Sequence, residues 1–109
     1  MAVKTARAED FEQRMVEMMN HAALALMTSL GHRTGLFDTM ASLPPSTREA
    51  IAEQAGLSER YVREWLGAMV TGRIVDYDPA TGRYHLPGAH AACLTRGAPL
   101  GNLAVYAQH

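Results

Sequence analysis

Phe11, Met15, Met18, Met19, Ala22, Ala23, Leu26 and Leu30 recur at intervals of three and four, the spacing that stacks side chains on one face of an α-helix. No Pro or Gly interrupts the run from Glu9 to about Leu30, and Glu9 and Asp10 suit the positive end of a helix dipole. The pattern predicts one long helix, framed at its widest as residues 8–34. Between Ala22 and Met27 the apolar residues cover the whole circumference of that helix. A chain of 109 residues builds one modest core, which covers only one side. The other side is therefore expected to meet a second chain or another domain. Phe11, Met15, Met18, Met19, Ala22 and Leu26 are the candidate dimer contacts, and methionine suits an adaptable interface.

Beyond this helix the pattern shortens. The segment from Gly31 to Gly35 is expected to break or bend the helix, with a short apolar helix, Leu36 to Ala41, ended by Leu43-Pro44-Pro45. Ser46-Thr47-Arg48-Glu49 reads as a capping box opening a helix that runs to Ala55, where Gly56 supplies a left-handed stop. Ser58 then caps a second helix, Glu59 to about Gly72, whose buried face is Val62, Trp65, Leu66, Met69 and Val70. Two capped helices joined through Gly56, with small Ala52 at their crossing, make a helix-turn-helix over residues 46–72.

A hairpin follows. Ile74 to Asp78 and Arg83 to Leu86 read as strands around Pro79-Ala80-Thr81-Gly82, a turn with Pro early and Gly late, giving a wing over residues 74–86. A short helix is expected from Ala89 to about Thr95. Residues 99–109 read as the start of a further helix leading toward a following domain. The fold class is mainly α: a single winged helix-turn-helix domain, residues 1–109, with a two-stranded wing.

Composition narrows the chemistry. Ten Lys and Arg face eleven Asp and Glu, a net charge of −1, which weighs against nucleic acid as the main partner because a polyanion calls for a basic excess. The obvious alternative for a helix-turn-helix remains a DNA-binding regulator, with Arg60 and Arg63 on the second helix as its contacts. Glu59 and Glu64 on the same face, and Asp76 and Asp78 on the wing, oppose it. The lone Cys93 forms no internal disulfide, and the N-terminus carries no signal peptide or membrane span, so the expected compartment is the cytoplasm.

Catalytic machinery is not apparent. His21, His32, His85, His90 and His109 come from different elements without metal-ligand spacing. Ser29, Ser42, Ser46 and Ser58 read as helix or cap residues, and Cys93 as a buried, inert thiol. No glycine-rich loop follows a strand, so no cofactor is expected to bind this chain. Asn20 and His21 are polar interruptions midway along the long helix, and a structural hydrogen bond is the first explanation for them.

Three blocks carry a resemblance. The run from Ala22 to Asp38, the run from Ala55 to Leu66, and Tyr84-His85-Leu86-Pro87 resemble the N-terminal region of a bacterial group of class I S-adenosylmethionine-dependent methyltransferases. The domain is also similar to the dimerising winged-helix domain of small-molecule O-methyltransferases. The resemblance implies a homodimer and a C-terminal Rossmann-like catalytic domain in the same polypeptide, binding S-adenosylmethionine. It further implies that this domain roofs the substrate pocket, with Asn20, His21, Met27, His32 and Arg33 near that roof.

Overall fold

A computed structural model describes residues 2–97 and Ala104, with side chains from residue 7 onward. Helix α1 (Ala2–Arg33) is followed by α2 (Leu36–Ala41), α3 (Arg48–Ala55) and α4 (Glu59–Thr71). An antiparallel hairpin, β1 (Asp76–Asp78) and β2 (Arg83–His85), and then α5 (Gly88–Leu94) complete the order. The 99–109 segment lies outside the described residues apart from Ala104, which is buried with the core.

Hydroxyl caps set the starts of the two helix-turn-helix helices. The Thr47 side chain accepts from the Ala50 N–H at 3.2 Å, and Ser58 accepts from Tyr61 N–H at the same distance. The cap of α3 is thus Thr47, one residue later than the capping box expected. Ser46 is held by the wing instead: its backbone pairs with Tyr84 through bonds of 3.0 and 2.8 Å. Glu49 still serves the first turn of α3. A hydrogen bond from its own backbone N–H, with help from the Arg48 side chain, holds its carboxyl below the usual range. Gly56 ends α3 at φ 70°, while Leu57 N–H donates back to Ala52 O at 3.0 Å.

The core forms where α1, α2, α3 and α4 meet. Trp65, Phe37, Leu36, Ile51, Leu66, Met69 and Val62 are fully buried there, with Trp65 and Phe37 edge to face at 5.2 Å. Trp65 Nε1–H donates to the Met27 carbonyl at 2.9 Å, fastening α4 to α1. The break expected between Gly31 and Gly35 comes at the end of that segment: α1 continues through Gly31 to Arg33, and Gly35 takes a left-handed φ of 76°. A side chain at Gly31 would sit 2.6 Å from both the Trp65 and Phe37 rings, so glycine is what lets α1 press flat against them.

The wing is shorter than its sequence pattern. Ile74 and Val75 turn their N–H groups to the Met69 carbonyl at the end of α4, leaving three residues in each strand. Its turn is as expected: Gly82 has φ 68°, and its N–H donates to Asp78 O at 2.8 Å. Arg96 closes the fold. Its backbone N–H reaches Asp38 Oδ1 at 2.9 Å, and its guanidinium donates to Asp38 and to the carbonyl of His32 at the end of α1.

Candidate functional site

Residues 7–23 of α1 stand clear of this body. Every side chain described from residue 7 to 23 is exposed, including Phe11 (55%), Met18 (54%) and Met19 (67%). Leu26, farther along, is 60% exposed as well. All six candidate dimer contacts therefore face outward from a single copy. Large apolar side chains massed on one projecting element mark an interaction surface, whereas scattered ones are ordinary.

Where α1 meets the end of α4, a groove of about 590 Å³ opens. Asn20, His21, Ala23, Leu24 and Met27 form one wall; Gly67, Ala68, Thr71, Gly72 and Arg73 form the other. Small residues line much of it because the helices approach closely: a Cβ on Gly72 would sit 2.7 Å from Leu24. Arg73 occupies its rim in the left-handed region, φ 60°, the one non-glycine residue there among those described.

Of the five pocket candidates, the structure gathers Asn20, His21 and Met27 in this groove. His32 and Arg33 lie elsewhere, at the far end of α1, where the His32 carbonyl takes the Arg96 guanidinium. The distance is simple helix geometry, since twelve residues span roughly 18 Å. Arg73, Gly67 and Gly72 escape sequence reading altogether. No periodic pattern marks the residues that end a helix beside a distant one.

Ser29 is buried, and the Ser42 and Ser46 hydroxyls donate to the backbone carbonyls of Thr39 and Pro44. Cys93 is half-buried rather than buried, with its thiol 3.6 Å from the Ala89 carbonyl. No group of three or more His, Cys, Asp or Glu is placed to hold a metal among the described residues. None of the described helices is long and apolar enough to cross a membrane.

The outer face of α4 is electrically mixed. Arg60 lies 3.9 Å from Glu64, Glu59 lies 2.9 Å from Arg48, and Arg63 is exposed. Beside it the wing exposes Asp76 and Asp78.

Residues 22–96 match the Rv2258c-like winged HTH domain. The chain belongs to that family. Among solved structures, this winged HTH domain is similar to PigF with SAH, at 26% identity and TM-score 0.76, over 89% of this chain and 28% of that one. It shares its fold with the mitomycin 7-O-methyltransferase MmcR, at 21% identity and TM-score 0.74, over 95% and 30% of the two chains. Human N-acetylserotonin methyltransferase in complex with SAM matches at 18% identity and TM-score 0.72, over 83% and 27%. The winged HTH domain thus spans under a third of each of these chains and resembles the N-terminal part of SAM-dependent methyltransferases. No curated protein matches it by sequence.

Proposed function

We infer that this winged HTH domain is the non-catalytic assembly and pocket-covering part of a cytoplasmic S-adenosylmethionine-dependent methyltransferase, whose catalytic domain follows in the same polypeptide. The projecting half of α1 carries the reading: its apolar side chains, from Phe11 to Leu26, find no cover in one copy of the fold. Two such helices from two copies cover one another, and the body beneath them faces the catalytic domain. The mechanism is burial of apolar surface, the term that dominates most protein association. The groove beside Asn20, His21 and Met27 supports a covering role for the substrate, with chemistry supplied by the absent domain. S-adenosylmethionine would bind there, on residues beyond this chain.

The mixed charge on α4 and the acidic wing speak against the alternative of a DNA-binding regulator using Arg60 and Arg63. Calorimetry with S-adenosylhomocysteine decides between them. The polypeptide extended past His109 along its reading frame is expected to bind it, and the 109-residue chain alone is not. A stop codon after His109, together with salt-sensitive binding of duplex DNA by the chain, would overturn the reading.

A further inference from the structure

The covering role inferred above leaves open what kind of molecule lies in the groove between α1 and α4. We propose that the groove takes a flat, apolar substrate bearing an anionic group, a carboxylate or an ionised phenol, and that Arg73 anchors that group. The proposal rests on the pocket-covering reading, and three observations carry it.

The first is the backbone at Arg73. α4 ends in a tight reverse turn: Arg73 N–H donates to the Val70 carbonyl at 3.0 Å, and Ile74 N–H to the Met69 carbonyl at 2.9 Å. In such a turn Arg73 takes the left-handed conformation, φ 60°, where glycine is the usual residue. The chain places its glycine one position earlier, at Gly72, where a Cβ would sit 2.7 Å from Leu24. Arginine at this position therefore costs backbone stability, and such strain collects at ligand sites.

The second is charge. Arg73 lines the groove with no Asp or Glu beside it. Its guanidinium pairs with no carboxylate among the described residues, whereas those of Arg48, Arg60 and Arg96 do. On the opposite wall, Asn20 and His21 likewise make no side-chain hydrogen bond among the described residues. An unpaired guanidinium at the rim of an apolar groove selects an anion, and two further polar groups remain to orient it.

The third is shape. Leu24 and Met27 face Gly67, Ala68 and Gly72 across a volume of about 590 Å³. Aliphatic side chains opposite small ones make a low apolar slot, which suits a ring system, and the volume is that of a small-molecule site. The anionic group is then the handle. The methyl acceptor is another group of the same molecule, turned toward the catalytic domain.

NMR titration of the 109-residue chain with naphthoate and with its neutral analogue naphthalenemethanol tests this. The unaltered protein is expected to bind the acid about tenfold more tightly than the alcohol, with shifts confined to the residues lining the groove. Arg73→Gly relieves the left-handed backbone and removes the guanidinium. It is expected to raise the thermal midpoint while abolishing the preference for the acid. Arg73→Lys is expected to retain part of that preference, since it keeps the charge but not the planar fork. Equal affinity for acid and alcohol, shifts centred elsewhere, or a preference that survives Arg73→Gly would overturn the proposal. None of these results touches the methyltransferase reading, which fails separately if the polypeptide extended past His109 does not bind S-adenosylhomocysteine.

Discussion

Along α1, residues 7–23 are exposed on every side, whereas within residues 24–33 Ser29 and Gly31 are buried and five others are half-buried. The backbone is the same continuous helix in both halves. Only the distal half lacks a partner, and it holds Phe11, Met15, Val16, Met18 and Met19. A helix gains most of its stability from packing an apolar face, so the distal half is built for contacts outside one copy. The proximal half is committed to Trp65 and Phe37. The two halves therefore differ in role: one holds the fold together, and the other presents the apolar surface on which the proposed association rests.

This division predicts very different costs for substitutions in the two regions. Trp65→Ala is expected to lose the most, about 3–5 kcal/mol in chemical denaturation, because it empties a fully buried site and strips the Met27 carbonyl of its donor. Gly31→Ala comes next. Two aromatic rings block its Cβ, so a loss of about 1–3 kcal/mol is expected despite alanine's better helix propensity. A neutral result there would mean α1 does not press on Trp65 as described. Gly67→Ala is the matched control in open space, and its thermal midpoint is expected to rise, with a gain of up to about 1 kcal/mol.

Smaller effects sharpen the contrast. Arg96→Ala removes a half-exposed ion pair with Asp38, expected to contribute at most about 1 kcal/mol. Hydrogen exchange should then quicken in α5 more than in α4. Met18→Gln in the distal half is expected to shift unfolding by no more than about 0.5 kcal/mol while weakening dimerisation measured by light scattering. A large loss of monomer stability from Met18→Gln would mean the distal helix packs on its own body.

Much of the fold was legible because its signals are local. The period of α4 named Val62, Trp65, Leu66, Met69 and Val70 as its buried face; the first four are fully buried, and Val70 is half-buried against them. Gly56 and Gly82 stood where the turns demanded positive φ, and both adopt it. Two adjacent hydroxyls, Ser46 and Thr47, made the α3 cap ambiguous by one residue, and the wing's claim on the Ser46 backbone decided it. The break read between Gly31 and Gly35 was loose for a related reason, and it falls after Arg33. A glycine within a helix weakens the local prediction, and its purpose appears only where α1 crosses Trp65.

The candidate site was legible by half. Helical periodicity is carried by each residue's own neighbours, so the sequence alone determined that α1 is long, that its apolar surplus runs from Phe11 to Leu26, and that two capped helices and a hairpin follow. Which residues share a groove depends on how α1 and α4 lie against each other. That packing joined Asn20, His21 and Met27 to Gly67 and Arg73, and left His32 and Arg33 with Arg96. Contacts between residues forty or more positions apart, up to 64 for His32 and Arg96, leave no repeat along the chain, so only the tertiary structure could decide them.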